Sequence, residues 1–236
     1  MNAKQCILIS GGLDSSVLAH HLVKEEQCQL FGVYINHGQP AARQEQDAVK
    51  NMGKTLGIPV EILDCSGLWS SFAKVAGPHI HMMTSGCGDP SAGIVLGAHY
   101  AGWAGAKTLY VGIHADNLRT RPWLSKMIDY YQSALNVIEP SIGGYPPGGD
   151  EFKGFRFEMP FARMTKAEIV LLGQKLNVDF ERTRSCQANG APCGKCHICR
   201  NRMDAFGKAG VTDSTKYARP GFSGPQGSGW RAPNRR

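Results

Sequence analysis

The chain has 236 residues, 42% of them apolar, and a formal charge of +7. That length allows one domain with a full core and a small appendage, and no apolar run approaches the roughly 20 residues of a membrane span. Five of the cations (Lys216, Arg219, Arg231, Arg235 and Arg236) follow Ser214 with no acid among them, leaving +2 for the rest, which weakens a nucleic-acid reading of the basicity.

Ile7, Leu8 and Ile9 form a short apolar run, Ser10-Gly11-Gly12 follows, and Val17, Leu18 and Leu22 recur at helical spacing after Leu13 and Asp14-Ser15-Ser16. This predicts a buried strand, a glycine turn and a helix over residues 14–26. Glycines admit close backbone approach, and the unpaired N–H groups of a helix start suit an anion. Ser10, Ser15 and Ser16 add hydroxyl donors, so Leu8–Ser16 reads as a phosphate cradle. No Gly-Lys-Ser/Thr follows, which excludes a Walker loop. The stretch resembles the PP-loop, Ser-Gly-Gly-x-Asp-Ser, of the N-type ATP pyrophosphatases, which split ATP between its α and β phosphates.

A strand over Leu30–Ile35 and the turn Asn36-His37-Gly38-Gln39 come next. An amphipathic helix over Ala41–Leu56, stopped by Gly57, and a strand over Val60–Leu63 follow. Strands alternating with helices imply a parallel sheet, with ligands beyond the carboxyl ends of its strands. Cys65–Ser91 reads as irregular; its His79-Ile80-His81 is a candidate metal pair without a nearby third ligand. A helix over Ile94–Ala106, a strand over Thr108–Ile113 and a helix over Pro122–Val137 follow, the last with Trp123, Met127, Tyr130 and Tyr131 as its expected packed stripe. Pro140–Gly154 reads as a loop, Gly154–Pro160 as a strand, Thr165 as the cap of a helix running to Leu176, and His197–Lys208 as the last helix. From Ser214 the chain is rich in Gly, Pro and cations, and is expected to be a flexible basic end or a tether for an acidic partner, nucleic acid or protein.

Four of the eight cysteines lie at Cys186-x6-Cys193-x2-Cys196-x2-Cys199, while Cys6, Cys28, Cys65 and Cys87 are scattered. This fits a cytoplasmic chain with one metal cluster better than a disulfide framework, and the opening MNAKQCILIS lacks signal-peptide character. Four thiolates make a closed, structural Zn²⁺ site; an iron–sulfur cluster is the alternative that spacing leaves open.

A PP-loop at the first strand with a four-cysteine motif near the C-terminus resembles the QueC family of 7-cyano-7-deazaguanine synthases. The likeness extends through Asn36–Gln39, Gly112 and Asp116, Thr165–Glu168, and Arg200, Arg202, Ala205 and Phe206. It implies an α/β fold of the adenine nucleotide alpha hydrolase-like type, a Rossmann-like parallel sheet with helices on both faces. Three parts are expected: a PP-loop domain over residues 1–180, a Cys₄ zinc subdomain over 181–210, and a flexible basic tail over 211–236. The resemblance implies Asp14, Ser15 and Lys166 as catalytic residues. Leu8, Ile9, Ser10, Gly11, Gly12, Leu13, Ser16, Gly38 and Gln39 would join them around ATP and Mg²⁺. His37, Asp116, Arg119 and Arg121 are the substrate candidates, and Cys186, Cys193, Cys196 and Cys199 the metal ligands. The implied partners are a small deazapurine, ammonia and a second copy of the chain.

Two segments depart from the family pattern. Asp89-Pro90-Ser91-Ala92 stands for its Pro-x-Arg-Asn, and Asn117–Pro122 for its Gly-Tyr-Pro-Asp-Cys-Arg. Both belong to the substrate side, and they fit a relative that transfers a deazaguanine to a protein or DNA target. A PP-loop tRNA-modifying enzyme would need a basic RNA face, which the near-neutral domain lacks. A nucleotide-binding module without turnover conflicts with the presence of both Asp14 and Lys166.

Overall fold

The computed structural model describes residues 4–77, 90–142 and 154–218. His79-Ile80-His81 and residues 219–236 lie outside these. Five parallel strands, β1 (Gln5–Leu8), β2 (Leu30–Asn36), β3 (Val60–Asp64), β4 (Thr108–Tyr110) and β5 (Arg156–Glu158), form one sheet in the order β3-β2-β1-β4-β5. Successive side chains of a strand point to opposite faces, and β1 and β2 are apolar on both. Ile7 and Tyr34 enter one core with α1 (Leu13–Lys24), α2 (Ala42–Leu56), α7 (Lys166–Lys175) and α8 (His197–Ala209). Cys6, Phe31, Val33 and Ile35 enter the other with α4 (Ser91–Trp103) and α6 (Trp123–Ile142). The sheet is therefore covered on both faces, as a parallel sheet requires.

Local signals explain several boundaries. Gly57 closes α2 at φ +66°, a backbone region that glycine enters without penalty. Thr165 and Glu168 start α7 reciprocally: Glu168 N–H donates to Thr165 Oγ1 (3.3 Å), and Thr165 N–H donates to Glu168 Oε2 (2.7 Å).

The structure corrects four expectations. A helix, α3 (Ser66–Ala76), occupies part of the stretch expected to be irregular; Ser66 N–H donates to Asp64 Oδ1 at its start, and Trp69 is its buried anchor. A short helix, α5 (Ala115–Thr120), follows β4, which ends at Tyr110. On α6 Leu124, Ile128 and Leu135 are buried and Met127 packs against the same core as expected, whereas Trp123 and Tyr130 of the expected stripe face outward. Finally, residues 211–218 are not a loose tail. Asp213 accepts from the Arg202 guanidinium, Tyr217 O–H donates to Asp213 (2.6 Å), and Ala218 N–H donates to the Pro192 carbonyl (2.7 Å).

Candidate active site and cysteine centre

The glycine loop leaves the carboxyl end of β1, the strand where the winding order reverses and where such sheets bind ligands. Gly11 sits at φ +68°, and a Cβ there would lie 2.8 Å from the Glu45 carbonyl oxygen, so α2 leaves room for glycine alone. Ser10 N–H donates to Ser15 Oγ (3.3 Å), and the two hydroxyl oxygens are 3.4 Å apart. Two residues beyond β4, Gly112 lies against the loop; a Cβ there would be 3.3 Å from Ser15 N.

The loop opens into a cavity of about 870 Å³. Leu8, Ile9, Ser10, Gly12, Leu13, Asp14 and Ser15 line it, whereas Gly11, Ser16 and Gly38 do not. Lys166 reaches Asp14 across the cavity floor, Nζ to Oδ2 at 2.9 Å. Its backbone N–H donates to Asp116 Oδ2 (2.9 Å), which fixes the first turn of α7 against α5. Burial raises the Asp14 carboxyl, but the charges of Lys166 and His114 outweigh it and hold it below its ordinary value. His114, buried and 3.9 Å from both Asp14 and Asp116, is itself held below the ordinary imidazole value by burial. Asp14 and Ser15, neighbours in the sequence, thus share one cavity with the distant Lys166.

The substrate candidates also line the cavity. His37 is buried, and Arg119 is 78% exposed at the mouth, paired with Asp116 at 3.0 Å. Arg121 lines the same wall. The Gln39 side-chain amide is engaged within the protein: Nε2 donates to Tyr34 Oη and Glu45 Oε2, and Oε1 accepts from His37 N–H. It shapes the turn that carries His37. Three features escaped sequence reading. His114 carried the signal of standing at a strand end two residues before Asp116. Trp69 carried none. The α8 stripe of His197, Asn201, Asp204 and Lys208 forms one wall of the cavity, and its helical spacing is visible in the sequence.

The four cysteine sulfurs lie within 4.8 Å of one another. Four thiolates at about 2.3 Å from one ion would be about 3.8 Å apart, so the arrangement fits a single tetrahedral metal. Backbone N–H groups of Cys193, Cys196 and Cys199 donate to the sulfurs of Cys186, Cys193 and Cys196 at 3.3–3.4 Å, which holds the sulfurs in one cluster. Arg184 ties this centre to the glycine loop: its N–H donates to the Gly11 carbonyl (2.6 Å) and its guanidinium donates to the carbonyls of Cys186 and Ala188. Arg202, 1% exposed, ties it to the rest through Asp213, Thr183, Ser185 and the Phe180 carbonyl.

Residues 93–210 match the family model described as "Queuosine biosynthesis protein QueC". The 7-cyano-7-deazaguanine synthase of Azotobacter vinelandii is 33% identical over 233 residues, covering 92% of this chain and 100% of that relative. The chain belongs to the QueC family. A second QueC relative, 7-cyano-7-deazaguanine synthase from Ectopseudomonas mendocina, is 31% identical over 91% of this chain and 98% of its own length. Among solved structures, NMN synthetase from Francisella tularensis superposes with a TM-score of 0.53 at 14% identity, covering 89% of this chain and 78% of that one. The U34-tRNA thiolase NcsA from Methanococcus maripaludis gives 0.51 at 16% identity; the match covers 86% of this chain but 64% of the thiolase, just under two thirds of its length. At those identities the likeness is one of fold, shared by both structures with this QueC chain.

Proposed function

We propose that this QueC chain converts 7-carboxy-7-deazaguanine to 7-cyano-7-deazaguanine in two ATP-dependent steps. In the first, a substrate carboxylate oxygen attacks the α phosphorus and pyrophosphate leaves. Ammonia then forms a bond to the acyl carbon, loses a proton, and AMP departs, leaving the amide. In the second, the amide oxygen attacks another ATP and pyrophosphate leaves again; loss of the nitrogen-bound protons and of AMP yields the nitrile.

The observation that carries this reading is the Asp14–Lys166 pair at 2.9 Å on the floor of the cavity, beside the serine hydroxyls of the glycine loop. Lys166 offers a mobile positive charge to the phosphates, while Ser10 and Ser15 offer donors to departing pyrophosphate. Asp14 Oδ1 is buried and without a hydrogen-bond partner among the described residues, and a hard carboxylate oxygen in that position suits Mg²⁺. Magnesium would neutralise phosphate charge in both steps. Zn²⁺ in the cysteine centre would be structural, since four sulfurs leave no open position.

The test is pyrophosphate release from ATP with 7-carboxy-7-deazaguanine, with and without ammonium, followed by mass analysis. Ammonium-dependent nitrile supports the reading; absence of substrate-dependent pyrophosphate release overturns it. A second reading, transfer of the deazaguanine to a macromolecular acceptor, is favoured by the cavity mouth, where Arg119 is largely exposed. Pyrophosphate release with no nitrile, and label recovered on protein or nucleic acid, would select it.

A further inference from the structure

Two arginines are buried beside the cysteine centre, and they are balanced differently. Arg202, 1% exposed, meets the Asp213 carboxylate at 3.1 Å. Arg184, 8% exposed, forms no ion pair among the described residues. Its Nε donates to the Cys186 carbonyl (2.9 Å) and its Nη2 to the Ala188 carbonyl, both of them neutral acceptors. Nη1 makes no hydrogen bond among the described residues and is still open to solvent.

A buried cation without a counter-charge is costly, and buried arginines are ordinarily paired. The field of Arg184 does reach Glu45. Burial, the larger influence there, holds the Glu45 carboxyl above its ordinary value, and its Oε2 accepts from Tyr34 and Gln39. The charge of Arg184 is therefore only partly answered from within the chain.

The position of Arg184 indicates what answers the rest. The residue lines the cavity of the glycine loop. Its backbone N–H donates to the Gly11 carbonyl (2.6 Å), and a Cβ built on Gly12 would lie 3.6 Å from its carbonyl oxygen. It therefore stands against the loop itself, whereas Lys166 reaches Asp14 of that loop from α7. A guanidinium is always charged, and its planar fork matches phosphate oxygens.

We propose that Arg184 is a phosphate-binding residue whose guanidinium supplies a fixed positive charge to the pyrophosphate part of ATP. The two cations differ in kind: Lys166 is a mobile point charge, and Arg184 is held in place by two carbonyls. As the bond from the α phosphorus to the bridging oxygen breaks, the electron pair stays with pyrophosphate. A donor already in place stabilises that growing charge without rearrangement. The assignment rests on the ATP chemistry proposed above.

The test is calorimetric titration of the zinc-loaded full chain with pyrophosphate, with ATP and with 7-carboxy-7-deazaguanine, for wild type, Arg184→Gln and Arg184→Lys. Glutamine keeps an N–H donor for the carbonyls and removes the charge; lysine keeps the charge and gives up the fork. Arg184→Gln should weaken pyrophosphate and ATP by about tenfold, the scale of one charge-assisted hydrogen bond, and Arg184→Lys should recover most of that loss. Metal content and the thermal midpoint should match wild type in both. Unchanged pyrophosphate affinity in Arg184→Gln overturns the proposal. So does an equal loss in both variants, the mark of a mere bracket for the cysteine loop, and so does a loss confined to 7-carboxy-7-deazaguanine. Where Arg184→Gln sheds its metal, ¹⁵N spectra of the wild-type guanidinium groups decide: pyrophosphate should move the Arg184 signals and leave those of Arg202, and unmoved Arg184 signals overturn the proposal. A wild type that binds neither ATP nor pyrophosphate overturns the functional reading as well, an outcome distinct from pyrophosphate binding that Arg184→Gln leaves intact.

Discussion

Two tight loops of this chain turn on glycines at positive φ, Gly11 in one and Gly190 and Gly194 in the other, and they are finished in opposite ways. The glycine loop borders unsatisfied atoms: Asp14 Oδ1 and His114 Nδ1 are buried without hydrogen-bond partners among the described residues. The cysteine loop is closed on itself. Its sulfurs accept backbone N–H groups, and the Arg202 guanidinium beside it is saturated by Asp213, Thr183, Ser185 and Phe180. A region that must receive a ligand leaves polar capacity unspent, whereas a region that must only persist uses most of it, Thr215 Oγ1 being the buried atom there without a partner among the described residues. Substitutions in the first should therefore appear in turnover, and those in the second in stability.

The largest effect is expected from Cys193→Ser. Metal content should fall from about one ion per chain towards zero, and the thermal midpoint should drop steeply, since a structural thiolate site can supply on the order of 10 kcal/mol of apparent folding free energy. A metal-free variant with an unchanged midpoint would erase the contrast; iron with visible absorbance in the wild type would change the metal. Asp14→Ala comes next. Pyrophosphate release should fall by about 10³-fold, the upper scale for losing one aimed electrostatic group, with the midpoint nearly preserved. Normal release would take the loop out of the mechanism. Lys166→Met should be milder, raising the ATP requirement by roughly tenfold as a point charge is lost, with metal content unaltered.

The smallest effect concerns Glu45, which stands behind the glycine loop. Burial raises its carboxyl above the ordinary value, and hydrogen bonds from Gln39 and Tyr34 offset only part of that rise. A carboxyl with a raised folded value contributes stability below the unfolded value, near pH 4.3, and loses it as pH rises through the folded value. Glu45→Gln should therefore gain on wild type by about 1 kcal/mol between pH 4 and 7 in denaturant titrations. A constant difference across that range would show that Glu45 does not titrate there.

The glycine loop and the cysteine spacing were legible because each is a local pattern whose chemistry is fixed by adjacent residues. So was the Thr165 cap, read from Thr165 and Glu168 alone. Less local features were lost. The Ser66–Ala76 helix was hidden by its serines and glycine, since its order comes from Trp69 inserting into the core. The α6 stripe was misread in part because Trp123 and Tyr130 outweigh Leu124 and Ile128 in apolar bulk, although the smaller residues are the ones buried. Gln39 lines the cavity, but its contacts to Tyr34 and Glu45 could not be read in advance, because they depend on how α2 packs on β2. The basic stretch read as loose from residue 211, because the partners that hold residues 211–218 are Arg202 and Pro192, on other segments.

The placement of β1 also governs when the protein acquires its site during folding. The strand that carries the glycine loop is central, pairing with β2 on one side and with β4 on the other. The first pairing is nearly local. The second joins Cys6 to Leu109 across about a hundred residues, a closure that is slow because its chain entropy must be overcome before the contacts form. Gly112, which lies against Ser15, and Asp116, which anchors Lys166, arrive only with that closure. A nascent chain that has made β1, α1 and β2 already displays the entire glycine loop and still lacks the groups that complete it. Competence to split ATP is therefore a late property of folding, and a partly folded chain carries the motif without the reaction.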